Sequence, residues 1–356
     1  MLTYYKICCI IILIFYIFEV IKIEIKNIGI VGAGTWGTAL GILLANNGHK
    51  VTMWSHNKNA IEDLNKTRIH KKMPGIYIPE SIIFTDVLEN TVIDKDFIIT
   101  AVPSVHTRNI ASLMSPYIKE GQIIVNVSKG IEEDTLLTIS EQIEQEIPHA
   151  VVAVLSGPSH AEEVSKGLPT TCVISVKDDI IARDLQNCFM SDVFRVYRNS
   201  DIIGVEVGAA LKNVIALAAG MADGLGYGDN AKAALITRGI AEISRLGIRM
   251  GGKAETFAGL TGIGDLIVTC ASLHSRNRKA GYLIGQGMNM SEAIKEVGMV
   301  VEGINSAKAA LALAKKYNES MPIVEEVNAI LFENKDAKKA VYDLMMRDSR
   351  AEYKNL

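Results

Sequence analysis

The chain has 356 residues, room for two domains of ordinary size. With 49% hydrophobic and 22% charged residues it has the make-up of a folded globular protein, which excludes a disordered one. A formal net charge of −3, with no long block of like charge, argues against a nucleic-acid partner, which calls for a basic face.

Residues 7–18, ICCIIILIFYIF, form an apolar run that stops at Glu19. A membrane span wants ~20 such residues, so stable membrane insertion is not expected. The run has the length of a signal-peptide core, yet no small-residue cleavage site follows it. Residues 1–25 are therefore read as an apolar N-terminal extension outside the fold, such as a wrongly chosen start codon would add. A weak membrane anchor is the competing reading. The five cysteines, Cys8, Cys9, Cys172, Cys188 and Cys270, are odd in number and contain no CxxC pair. They fit reduced thiols in a cytoplasmic protein better than a disulfide framework or a zinc site, and no metal is expected.

Residues 26–200 alternate short β-branched runs with helical stretches. Strands are predicted at 26–31, 50–54, 96–102, 122–127 and 150–157, and a helix at 35–48 ended by Gly48. The strand runs are apolar on both faces, as parallel strands covered by helices require. The pattern predicts a doubly wound parallel sheet. From residue 201 to 356 strand signals almost vanish. Asp201 is placed to N-cap an apolar helix over 202–224, and amphipathic helices are predicted at 306–318, 322–334 and 336–348. The fold class is thus α/β, a Rossmann-like sheet domain followed by an all-α domain, with the boundary near residue 200.

Gly32-Ala33-Gly34-Thr35-Trp36-Gly37 is a GxGxxG between the first strand and the first helix, the context that gives the pattern meaning. Gly32 permits the tight turn, Gly34 lets backbone approach a pyrophosphate, and Gly37 lets helix and strand pack closely. An NAD site usually carries an acid at the end of the second strand; here Trp54-Ser55-His56-Asn57-Lys58 has none. Both NADP(H) and NAD(H) are therefore expected to be accepted.

Lys212 has Gly208, Ala209, Ile215 and Ala216 as its helical neighbours. On such an apolar wall desolvation lowers an amine's pKa and suits it to proton exchange, unless the side chain snorkels to solvent. Lys129, in VSKG, and the Ser156–Ala161 stretch each follow a parallel strand, at the edge where ligands of open α/β sheets bind, although each also reads as an ordinary loop or turn. Asp265 ends the glycine-rich segment 259–265 and is a candidate N-cap. Arg276 and Arg278, at a helix start, form a candidate phosphate site or a solvated basic turn.

Together these residues resemble the NAD(P)-dependent glycerol-3-phosphate dehydrogenases of the bacterial type. The resemblance runs from about Lys26 to about Asp348 and rests on GAGTWGTAL (32–40), AVPS (101–104), VSKG (127–130), SGPSHAEEV (156–164), EVGAALKNVIALAAGMADGLGYGDNAKAALITRG (206–239), GLTGIGDL (259–266), SRNR (275–278) and VVEG (300–303). It implies Lys212 as proton acceptor. It implies substrate contacts at Lys129, Gly157, Ser159, Lys212, Asp265, Ser275, Arg276 and Asn277. It implies that Thr35, Trp36, His56, Lys129, Ala161, Arg276, Val300 and Glu302 line the dinucleotide beside the three loop glycines. The implied reaction is hydride transfer between NAD(P)H and dihydroxyacetone phosphate, giving sn-glycerol 3-phosphate for glycerophospholipid synthesis in the cytoplasm. Oligomeric state stays open, with a homodimer as one expectation. A β-hydroxyacid or 6-phosphogluconate dehydrogenase, a non-catalytic dinucleotide sensor and a membrane-attached scaffold are the competing readings.

Overall fold

The protein is described by a computed structural model of residues 24–349, 351 and 352. The apolar run read at 7–18, with Cys8 and Cys9, lies outside the described residues. Cys172, Cys188 and Cys270 are free and buried.

The chain opens with β1 (Asn27–Val31), α1 (Thr35–Asn46), β2 (Lys50–Trp54) and α2 (Lys58–Thr67). Six more strands follow: β3 (Ile83–Thr85), β4 (Phe97–Thr100), β5 (Ile123–Asn126), β6 (Val151–Ser156), β7 (Thr170–Ser175) and β8 (Phe194–Asn199). They form one sheet in the order β3-β2-β1-β4-β5-β6-β7-β8, whose first six positions are the doubly wound dinucleotide-binding order. Alternate residues serve opposite faces. Ile28, Ile30, Met53, Ile99 and Val125 join one buried cluster, and Val31, Trp54, Ile98, Ile124 and Val152 another. Burial on both sides is why these runs read as apolar throughout.

The sheet departs from the expectation in two ways. β3, β7 and β8 were not among the predicted strands. β3 is three residues long, and β8 (FRVYRN) alternates buried with exposed positions at the sheet edge, so neither makes a continuous apolar run. β7 also runs antiparallel to β6, while every other pair is parallel. The connection between them contains one helical turn, Ala161–Val164, in place of the full helix that usually carries a parallel crossover.

The register places the chemistry. Val31 pairs with Thr100, Thr100 with Asn126 and Asn126 with Val154, so β1, β4, β5 and β6 end at a common edge. The loops beyond them are GxGxxG, AVPS, VSKG and SGPS.

After Asn199 the described chain is helical. The central element is α3 (Ile202–Gly224), N-capped by Asp201, whose carboxylate accepts from Gly204 N at 2.9 Å. It is buried nearly all round, and Glu206, Lys212 and Asn213 are its buried polar side chains. Around it pack Asp229–Arg249, α4 (Asp265–Ala271), α5 (Arg276–Gly285), α6 (Glu302–Lys316) and Pro322–Phe332. Contact with α5 is backbone against backbone: a Cβ on Gly281 would stand 2.1 Å from Leu217 O. Among the described residues α3 alone is long and apolar enough to cross a membrane, and 89% of its apolar window is buried inside the protein.

Candidate active site

A cleft of about 400 Å³ opens where the common sheet edge faces α3, α4 and α5. Gly34, Thr35 and Trp36 line it from the first loop, and Lys129, Ser159 and Ala161 from the sheet's far loops. Lys212, Asp265, Ser275, Arg276, Asn277, Val300 and Glu302 line it from the helical side.

At its heart are two lysines on one carboxylate. Asp265 Oδ1 lies 2.8 Å from Lys212 Nζ, and Oδ2 lies 2.7 Å from Lys129 Nζ. A π-helical turn, Leu260–Gly264, leads into α4 and sets Asp265 at its first residue. Its side chain makes no capping bond, contrary to the N-cap reading: the carboxylate is spent on the lysines. Burial alone would raise this carboxyl, but the two cations outweigh it and hold it below the usual range.

Lys212 is 5% exposed and does not snorkel. Burial pushes its amine down to about 8, with the Asp265 charge pulling upward and Lys129 downward. Its ammonium donates to Thr269 Oγ1, and that hydroxyl donates in turn to Asp265 O at 2.6 Å. With one N–H on Asp265 and one on Thr269, the third N–H has no protein acceptor among the described residues. The apolar neighbours pointed to the lowered pKa; the partner carboxylate, 53 residues further on, left no trace in them.

The first loop fits a dinucleotide. Gly32 has φ +121°, and a Cβ there would stand 2.5 Å from Ala101 O. A Cβ on Gly37 would stand 2.1 Å from Gly32 O, whereas one on Gly34 would meet nothing within 4 Å. Two glycines thus serve packing, and the third leaves an open approach to backbone. The first turn of α1 contains no acid and no capping side chain, so its N–H groups and helix dipole stay available to an anion. His56 sits apart, exposed beyond β2 and not in the cleft wall. Beyond β2, Lys58 Nζ lies 3.4 Å from Asp86, which follows β3.

At the α5 end the two arginines differ. Arg278 is tied to Asp223 at 2.6 Å, which removes it from the expected anion pair. Arg276 is exposed, lines the cleft and begins α5, with Ser275 as N-cap. Asn277 is committed: its Nδ2 donates to Asn213 Oδ1 and its Oδ1 accepts from Gly303 N, both at 2.9 Å. The SRNR, LKN and VVEG segments thus meet at one amide. Gly157 (φ +144°) stands behind the cleft and accepts from Lys129 Nζ at 3.1 Å.

Several groups escaped the sequence reading of the site. Ser104 N donates to Glu302 Oε1 at 3.2 Å, joining AVPS to VVEG. His160 lines the cleft, its pKa lowered first by burial and then by the Lys212 charge. Glu206 accepts from Ser140 N at 2.9 Å and Asn126 Nδ2 at 3.2 Å, and Asn126 Oδ1 accepts from Ser128 N at 2.9 Å, beside Lys129. Helical spacing alone could have found Glu206, buried six residues before Lys212 on the same apolar helix.

Comparison with known proteins bears on this arrangement. Residues 27–182 match the family described as NAD-dependent glycerol-3-phosphate dehydrogenase N-terminus, and residues 201–342 match its C-terminus. The chain belongs to the NAD-dependent glycerol-3-phosphate dehydrogenase family. It is 62% identical over 332 residues to a glycerol-3-phosphate dehydrogenase [NAD(P)+] of Agathobacter rectalis, covering 93% of this chain and 99% of that one. A Fusobacterium nucleatum protein of the same name is 60% identical, with 92% and 98% covered. Among solved structures, a glycerol-3-phosphate dehydrogenase from Coxiella burnetii superposes with a TM-score of 0.88 at 37% identity, covering 91% of this chain and 99% of that one. The matched segments of the glycerol-3-phosphate dehydrogenase family include all four loops at the sheet edge and the three cleft-lining helices.

Proposed function

We propose that this protein is an NAD(P)-dependent sn-glycerol-3-phosphate dehydrogenase that reduces dihydroxyacetone phosphate reversibly and supplies glycerophospholipid synthesis in the cytoplasm. The observation that carries the reading is Lys212: a buried amine near 8 with one N–H unspent, in a cleft shared with the GxGxxG loop.

The dinucleotide would be held by Gly32, Gly34, Thr35, Trp36 and Gly37, with Ala161, Val300 and Glu302 along the cleft wall and His56 at the outer edge. When bound it supplies the hydride. Arg276 and the N–H groups at the start of α5 take the substrate phosphate, because a guanidinium matches phosphate in bidentate fashion and the helix end adds positive potential. Ser275 and Asn277 hold that corner in shape, Ser159 lines the opposite side, and Gly157 behind it holds Lys129 through its carbonyl. As the carbonyl carbon gains a hydride, negative charge grows on its oxygen. The Lys212 ammonium stabilises that charge and gives up its proton to form the hydroxyl. Asp265 balances one of the two lysines, so the Lys129–Asp265–Lys212 cluster keeps one net positive charge while Lys212 is protonated and the pocket favours an oxyanion over the neutral ketone. In the reverse direction the neutral amine takes the hydroxyl proton.

Steady-state kinetics with dihydroxyacetone phosphate and NADH or NADPH test this. Turnover should saturate in both substrates, and a β-hydroxyacid panel should be inert. Turnover of hydroxyacids without turnover of dihydroxyacetone phosphate sinks the reading.

A further inference from the structure

Between α2 and β3 lies a loop, residues 68–78, to which no function above has been given. It is a built element. Ile69 and Tyr77 pair as an antiparallel bridge, Ile78 N donates to Arg68 O at 2.9 Å, and Met73 and Ile78 are sunk in the sheet core. Its tip carries His70 and Lys72, and both line the cleft together with Gly34 and Thr35.

His70 brings this tip beside the phosphate loop. Its Nδ1 accepts from Lys72 N at 3.1 Å, and the half-buried ring stands near the Ala33 backbone, at the second position of GxGxxG. A neutral ring that accepts at Nδ1 carries its proton on Nε2, which leaves that N–H to offer the neighbouring backbone. Lys71 is drawn off to Asp63 at 3.4 Å, but Lys72 has no carboxylate partner among the described residues.

Charge gives this placement its meaning. Lys129 and Lys212 share Asp265 in the centre of the cleft, and Arg276 stands at the start of α5. The GxGxxG end faces a doubly charged pyrophosphate with only backbone N–H groups and a helix dipole of about half a charge. Lys72 is a cation delivered to that end from outside the motif.

We propose that His70 and Lys72 form a clasp on the dinucleotide, in which Lys72 contacts the pyrophosphate and His70 positions it. The proposal rests on the dehydrogenase reading above. In the full-length protein, Lys72→Met should raise Kd for NADH and for NADPH by the same factor, roughly three- to tenfold, as expected for one exposed charge-assisted contact. The salt dependence of binding should flatten, since an exposed charge has been removed. The loss should appear in KM for the dinucleotide, with kcat at saturation within about twofold, and Lys72→Arg should recover most of it. His70→Phe, which keeps the amine and removes the ring's hydrogen bond to Lys72 N, should weaken both dinucleotides too.

Unchanged Kd for both dinucleotides in Lys72→Met overturns the contact. So does an effect confined to NADPH, which would put the amine at the 2′-phosphate, or one confined to KM for dihydroxyacetone phosphate. An unaffected His70→Phe overturns the positioning half. A wild-type protein that binds neither dinucleotide overturns the dehydrogenase reading itself, a result distinguishable from all of these.

Discussion

Two carboxylates sit against the same helix, and burial treats them alike while their partners do not. Glu206, on the first turns of α3, is 4% exposed and meets only neutral donors, Ser140 and Asn126. Burial pushes its carboxyl up to about 7 despite those hydrogen bonds. Asp265, 1% exposed and packed near the middle of α3, touches two ammonium groups and is held below the usual range. Depth is the same; cations make the difference. One end of the seam is thus a near-neutral clamp between the sheet loops and the helices. The other is a charged centre able to move a proton.

The largest test of that contrast removes the amine. Lys212→Ala should lower kcat by 10²-fold or more, the range for a lost general acid, while calorimetry shows NADH binding nearly unchanged. Retained turnover would mean that the charged end does no chemistry.

Asp265→Asn comes next. On the proposed mechanism reduction draws on protonated Lys212, so in the wild type its rate should fall as pH rises through about 8, and the reverse oxidation should rise there. The Asp265 charge raises the amine's pKa, so its loss should move both limbs to lower pH and cut reduction at pH 8 by about tenfold. Leaving buried Lys212 and half-buried Lys129 without a counter-charge should also cost about 3–5 kcal/mol of stability. Limbs that stay in place would show that the carboxylate does not set the proton affinity of the site.

Glu206→Gln should do least. The amide keeps the shape, accepts from Ser140 N and donates to Ser140 Oγ, so stability at pH 7 should change by less than about 1 kcal/mol. The sign of its pH effect is definite. A carboxyl raised from 4.5 to about 7 on folding binds its proton more tightly in the native state, so it stabilises at acid pH. That contribution drains away as pH climbs from 4.5 to 7, and the variant should lack this slope in chemical denaturation. A loss as large as that of Asp265→Asn would break the contrast.

Much of this was legible in the chain itself, because the signals are local. A glycine loop between a strand and a helix, an Asp before a run of small apolar residues and a lysine on an apolar face each sit within a few positions of one another. The helix predicted over 202–224 is observed at those residues, with Asp201 as its N-cap. Three strands were not legible: β3 is three residues long, β8 alternates buried with exposed positions, and β7 (TTCVIS) is buried but mixes polar with apolar residues, so their place follows from pairing.

What the sequence settled alone was the kind of machine: a parallel sheet, a phosphate loop, an apolar helix bearing a lysine, and the family these motifs resemble. Which groups face which was decided only by the folded chain. Lys129 and Asp265 are 136 residues apart along the chain yet 2.7 Å apart in space, Arg278 is claimed by Asp223, and Glu206 closes on Ser140. Patterning reports what a residue needs from its immediate neighbours. The charge state of a buried group depends instead on partners delivered by packing, and no spacing rule spans that distance.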